Sequence, residues 1–133
     1  MCFKYYSDCY SKGSKLINTR INIINMLSPI LQTKIESQIN DNKIMLYIKG
    51  TPQQPQCGFS AAIVQTFNAL GHPYETANIL EDDDLRLGMK DFSSWPTFPQ
   101  IYVGGEFIGG CDIVMELSQR GELAQIVQDA IAA

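Results

Sequence analysis

The sequence predicts an α/β domain: a four-stranded mixed sheet flanked by helices. Three observations carry that expectation. Ile44-Met45-Leu46-Tyr47-Ile48 is an unbroken apolar run of strand length, as a strand buried on both faces requires. A helix-period segment separates it from a second strand candidate, Tyr74–Ile79, so the two fit a parallel pair joined by a right-handed crossover. Two short alternating runs, 100–103 and 106–108, are joined by Gly104-Gly105 and read as an antiparallel hairpin.

Taken in order, the elements have local signals. Ser28-Pro29 supplies an N-cap and a proline at the first helical position, and Leu31, Ile35 and Ile39 form a stripe behind it. Asp41-Asn42 stops that helix before the strand expected over 44–49. In the next helix Ala62, Ile63, Phe67 and Leu70 recur at helical spacing, and Gly71 closes it. His72-Pro73 forces the turn into the second strand, and His72, the only histidine, reads as a surface residue. Glu81-Asp82-Asp83-Asp84 places carboxylates at the positive end of a short helix over about 84–92. These acids are consecutive, not convergent, so they suit a solvated helix start better than a divalent metal. After the hairpin, Ile113, Met115, Leu117, Leu123, Ile126 and Val127 give a last helical region, broken at Gly121.

The chain has 133 residues, enough for one domain with a real core. Residues 1–25 have a different texture, with Lys4, Lys12, Lys15 and Arg20 against Asp8 alone. That segment carries +3 of a total of −4, which leaves −7 for residues 26–133. With Ile17, Ile21 and Ile24 on one helix face it suits either an organelle transit segment or a disordered leader, and Met26 opens a cleaner domain over 26–133. An acidic domain without a basic stripe is a poor partner for nucleic acid. No run approaches the roughly 20 apolar residues of a membrane span. Cys2, Cys9, Cys57 and Cys111 make no disulfide framework, and no secretory signal opens the chain. A reducing compartment follows: cytoplasm, or a plastid or mitochondrial interior if 1–25 is a transit segment.

The chemistry is expected at Lys49-Gly50-Thr51-Pro52-Gln53-Gln54-Pro55-Gln56-Cys57-Gly58-Phe59-Ser60. This Gly/Pro-containing loop delivers one cysteine to a helix N-terminus, where free N–H groups and the helix dipole favour thiolate over thiol. A free cysteine that only packs is the ordinary alternative. Against it, Cys57 lies among Gln and Pro, not inside an apolar run. Strand, cysteine loop, helix and then a proline turn before a hairpin describe a thioredoxin-like architecture. Ser60 stands where a C-x-x-C motif has its second cysteine. Serine cannot attack a mixed disulfide. Cys57 must therefore wait for an outside thiol, recruit Cys111, or do something other than dithiol exchange.

Four motifs in register now resemble one family. Lys49-Gly50, Cys57-Gly58-Phe59-Ser60, Trp95-Pro96-Thr97-Phe98-Pro99-Gln100 and Gly109-Gly110-Cys111-Asp112 look like those of a monothiol glutaredoxin of the C-G-F-S class, over about residues 28–130. The resemblance implies a glutaredoxin fold, bound glutathione, and a [2Fe–2S] cluster held between two protomers for delivery to other proteins. It maps glutathione and cluster residues onto Lys49, Cys57, Arg86, Phe98, Cys111 and Asp112, with Cys57 both the reactive thiol and the metal ligand. As partners it implies a cluster-bound homodimer, apo iron–sulfur acceptor proteins and BolA-like proteins.

Elementary chemistry agrees with that mapping. Glutathione has two carboxylates, an amine and a thiol, and Lys49 and Arg86 are cations suited to a carboxylate. Thr97-Phe98-Pro99 is expected to hold a cis peptide before Pro99. The Phe98 backbone then pairs with the tripeptide as an added strand would. Gly109-Gly110 clears side chains where backbone must come close, so that the Cys111 N–H and Asp112 meet the far carboxylate and amine. The Cys111 sulfur suits packing, an occasional disulfide, or both. Trp95 reads as an apolar lid on the proline turn. A [2Fe–2S] centre usually takes four thiolates, and one chain offers only Cys57. Two chains and two glutathiones satisfy the count. Two functions remain: a cluster carrier with weak or no turnover, or a glutathione-dependent oxidoreductase that reduces mixed disulfides through Cys57 alone. Ser60 and the loop Thr51–Pro55, inserted ahead of the cysteine, favour the first through the family likeness.

Overall fold

Strand β1, Ile44–Ile48, buries all five of its side chains, as a central strand covered on both faces must. The computed structural model describes residues 28–133. The leader expected over 1–25, with Cys2 and Cys9, and the domain start at Met26 lie outside the described residues. Helix α1, Pro29–Asp41, precedes β1, and Ser28 caps it as its hydroxyl accepts from the Leu31 N–H. Next come α2, Gly58–Leu70; β2, Glu75–Asn78; α3, Asp83–Ser93; β3, Gln100–Val103; β4, Glu106–Gly109; α4, Cys111–Gln119; and α5, Glu122–Ala132.

The sheet order is β2-β1-β3-β4. Strands β1 and β2 are parallel, with Ile48 opposite Asn78, while β1–β3 and β3–β4 are antiparallel. The two-residue alternation of β1 divides the core. Ile44, Leu46 and Ile48 pack with Ile63, Val64 and Phe67 of α2, Val114 of α4, and Leu123 and Val127 of α5. Met45 and Tyr47 face the opposite way, onto Ile35 and Ile39 of α1 and Leu85 and Met89 of α3. Each such fully buried Leu, Ile or Phe contributes about 1.5–3 kcal/mol. The result is the thioredoxin-like arrangement expected, a four-stranded mixed sheet flanked by helices, here in three layers.

Strand and helix ends differ from the sequence reading, each for a local reason. The strand expected over 44–49 stops at Ile48, because Lys49 gives its N–H to the Ser60 hydroxyl and Gly50 turns to φ +98°. The strand expected over 74–79 is regular only through Glu75–Asn78, although the Ile79 N–H still reaches the Ile48 carbonyl at 3.0 Å; Tyr74 lies outside the strand, its hydroxyl donating to Asn68 Oδ1. Helix α3 runs a residue further at each end than 84–92, since Asp82 is its cap. The last helical region does break at Gly121, as expected, and the break makes it two separate helices, with Gly121 at φ +76°. His72 is half-buried, not a plain surface residue.

Candidate functional site

The C-terminal end of β1 leads into a loop that folds back on itself. Gly50 bridges to Pro55, Thr51 and Gln54 exchange backbone hydrogen bonds, and the Gln56 N–H returns to the Lys49 carbonyl at 2.8 Å. A Cβ at Gly50 would lie 2.5 Å from the Gln54 carbonyl oxygen, so the fold-back requires glycine there. The loop ends on Cys57, which is itself the N-cap of α2: its sulfur accepts the Ser60 N–H at 3.3 Å. The Ser60 hydroxyl is fully buried, takes the Lys49 N–H at 3.0 Å and lies 3.3 Å from the same sulfur. With Cys57 ionised, the hydroxyl proton points to the sulfur while the oxygen still accepts from Lys49.

Burial works against ionisation of Cys57. The Ser60 hydroxyl and N–H, the Phe59 N–H and the Lys49 charge together outweigh it and hold the thiol below its ordinary value. Cys111 is the reverse case. Burial pushes its thiol up, and the Asp112 and Cys57 charges add to the rise. Both cysteines are free.

Beside the cysteine lies a groove of about 740 Å³. Five of the expected residues line it: Lys49, Arg86, Phe98, Cys111 and Asp112. Cys57 is not in that lining, but its neighbours Lys49 and Phe59 are. Arg86 is not a free cation, since its guanidinium lies 3.5 Å from Asp83, an acid of the same groove. Phe98 is buried and its peptide bond to Pro99 is cis. Trp95 packs on Phe107 with ring centroids 5.6 Å apart and covers Gly110, where a Cβ would meet its ring at 3.0 Å. Trp95 thus acts as the expected lid, and it also lines the groove. The space cleared at Gly109-Gly110 is taken by Ile113 and Trp95. Helix α4 starts on Gly110, which provides no side-chain cap for its first N–H groups.

Four contributors had no individual role in the sequence reading, Phe59 and Gln100 standing there only as motif members and Lys90 and Leu80 not at all. Lys90 lines the groove one helical turn beyond Arg86, a signal that i, i+4 spacing on α3 could have given. Gln100, buried behind the proline turn, donates its amide to the Trp95 carbonyl at 3.0 Å and the Thr97 carbonyl at 3.3 Å. Phe59 and Leu80 put exposed apolar surface on the rim, 63% and 49% accessible.

Comparison with known proteins gives consistent results. The family model described as Glutaredoxin matches residues 44–108. An uncharacterized, ycf64-like monothiol glutaredoxin of Synechocystis sp. is 47% identical over 107 residues, 80% of this chain and 100% of that protein. The chloroplastic monothiol glutaredoxin-S14 of Arabidopsis thaliana is 44% identical over 125 residues, 93% of this chain and 72% of its own. Among solved structures, a buckwheat glutaredoxin–glutathione complex aligns with a TM-score of 0.68 at 25% identity, over 76% of this chain and 90% of that one.

Proposed function

The chain belongs to the monothiol glutaredoxins, and from that premise we propose that it binds glutathione in the groove and carries a [2Fe–2S] cluster, shared between two protomers, to other proteins. One observation carries the reading. Cys57 is a single, ionisation-prone thiol at the groove's edge, and the position from which a second thiol would resolve it holds a buried serine.

Lys49 and Arg86, joined by Lys90, form a cationic wall for one carboxylate of glutathione. A bound carboxylate competes with Asp83 for Arg86. The Phe98 backbone, presented by the turn that Gln100 holds, pairs with the tripeptide as an added strand would. On the opposite side the Cys111 N–H, on an uncapped helix start, receives the other carboxylate, and Asp112 receives the amine.

The donor set suits the cluster as cargo. Among the described residues no group of three or more His, Cys, Asp or Glu side chains could hold a metal ion. In this reading each protomer provides one thiolate, Cys57, and two glutathiones complete the usual four. Cys111, whose thiol is held protonated more firmly, is the poorer ligand. Acceptors are apo iron–sulfur proteins, with BolA-like proteins as further partners. The compartment is a reducing one, cytoplasm or an organelle interior, the second if residues 1–25 serve as a transit segment. The glutaredoxin domain then occupies 26–133.

The lowered pKa of Cys57 also favours a second reading, reduction of mixed disulfides. In that reaction the Cys57 thiolate attacks the glutathione sulfur of a protein–glutathione disulfide and releases the protein thiolate. A second glutathione thiolate then attacks the Cys57 adduct, freeing Cys57 and leaving glutathione disulfide. Visible absorption of protein purified without oxygen, with and without glutathione, separates the readings. A coloured dimer that needs glutathione is expected. Turnover comparable to a dithiol glutaredoxin, with no cluster after anaerobic reconstitution, would favour the oxidoreductase.

A further inference from the structure

Asn78, the last residue of β2, accepts two backbone hydrogen bonds on one side-chain oxygen. The Gly50 N–H reaches Asn78 Oδ1 at 2.9 Å and the Leu80 N–H reaches it at 3.0 Å. Both partners are donors, so the oxygen of the amide, not its nitrogen, must face them. The two donors belong to different walls of the groove: Gly50 follows Lys49, and Leu80 lies on the segment leading to α3 with Arg86 and Lys90. From this geometry we infer that Asn78 is a positioning residue for glutathione recognition, setting the Lys49–Gly50 peptide and tying it to the wall that carries Leu80.

The peptide group between Lys49 and Gly50 is held at both ends. Its carbonyl takes the Gln56 N–H at 2.8 Å, and its N–H is the one that Asn78 accepts. The Lys49 N–H is already bound to Ser60 Oγ. With all three polar groups around Lys49 satisfied, the peptide plane is fixed, and so is the direction in which the side chain leaves the main chain. Gly50 is buried and sits at φ +98°, a region open to glycine over a wide range, so the residue itself provides little restraint on that plane. Loss of the Asn78 acceptor frees the N–H end of the plane and detaches Leu80 in the same event. Asn78 lines no part of the groove and acts only through these neighbours.

The inference rests on glutathione being the groove's ligand, and its test is built to separate the two. Glutathione affinity of the full chain is measured by calorimetry well below the melting temperature, which is recorded separately. Asn78→Ala is expected to weaken binding about fivefold, the order of one lost hydrogen bond. Asn78→Asp keeps an acceptor oxygen in place and is expected to restore binding. In a Lys49→Ala background the Asn78→Ala effect is expected to shrink below about twofold, because the two residues act on one contact. Should the alanine variant not fold, Asn78→Ser takes its place in the same cycle. In the wild type, the Gly50 and Leu80 amides are expected to exchange slowly with solvent deuterium and to gain protection together when glutathione is added. A lower melting temperature with unchanged affinity, or a full loss persisting without Lys49, would reduce Asn78 to a purely structural role. Unprotected Gly50 and Leu80 amides would overturn the shared contact itself. A wild type that binds no glutathione would remove the ligand assignment, and this inference with it.

Discussion

At Ser60 a hydroxyl does two jobs that the bare motif conceals. Read as letters, Cys57-Gly58-Phe59-Ser60 says only that a second thiol is missing. In the fold, Ser60 Oγ is fully buried, bound to the Lys49 N–H and in contact with the Cys57 sulfur. Ser60→Cys puts a larger atom and a weaker acceptor into that space. We expect it to add little turnover on a small mixed disulfide and to lower cluster content, as a disulfide between Cys57 and the introduced thiol competes with iron. Activity and iron content of the variant and wild type, measured side by side, decide this. The cations are the second test at this scale. Lys49→Ala and Arg86→Ala are each expected to weaken glutathione binding by about 1–3 kcal/mol if the lost contact is charge-assisted. Arg86 should give the smaller loss, since Asp83 already holds its guanidinium. High salt narrows both differences. Equal affinity in calorimetry would return both residues to ordinary surface charge. Cys57 was legible because an isolated cysteine in a polar loop has few other uses. The Ser60 contact with Lys49 was not, because it joins residues 11 positions apart across the end of β1.

Helix α3 shows what an element contributes. Asp82 caps it by accepting the Leu85 N–H at 3.0 Å, and it meets Lys34 of α1 at 3.3 Å. The Leu85 hydrogen bond pulls the Asp82 carboxyl below its ordinary value; burial opposes this, and Lys34 assists. A carboxylate lowered in the folded state stabilises above its unfolded pKa, about 3.9, and loses that contribution as pH falls through the lower folded value. Asp82→Ala is expected to cost about 1 kcal/mol at neutral pH, nearly all of it from the cap, the exposed ion pair adding little. Urea midpoints of the two proteins should converge as the pH drops below about 4. Element identity was readable here because periodicity, caps and Gly-Gly turns are local signals. Element ends were less so. Lys49 leaves the β1 ladder for a distant hydroxyl, and no property of the Tyr47-Ile48-Lys49 run announces that departure.

For the whole molecule, the decisive quantity is the number of thiolates that one chain brings to the groove. The proposed cluster couples assembly to loading. Cys57→Ser is expected to abolish bound iron and acid-labile sulfide, to leave the fold intact and to remain monomeric under conditions that load wild type as a dimer. Cys111→Ser should keep most of the cluster, because its thiol is disfavoured as an ionised ligand. Sedimentation with metal analysis reads both, and wild-type levels of cluster in Cys57→Ser would sink the assignment. The groove itself was only partly legible. The five expected residues in its lining came from three separate motifs and the α3 helix, whereas Lys90, Leu80 and Asn78 lie in stretches without a motif and become neighbours of the site only when β2 pairs with β1.

The cap of α2 is a sulfur atom, and this makes the helix a spectator of the chemistry. The Ser60 N–H points at the one atom whose electron density changes when Cys57 is ionised, bonded to another sulfur or drawn to iron. Its proton resonance should therefore shift with each state of that atom, while amides deeper in the helix stay nearly still. A single backbone signal, native to the chain and needing no added probe, would report how the cysteine is occupied.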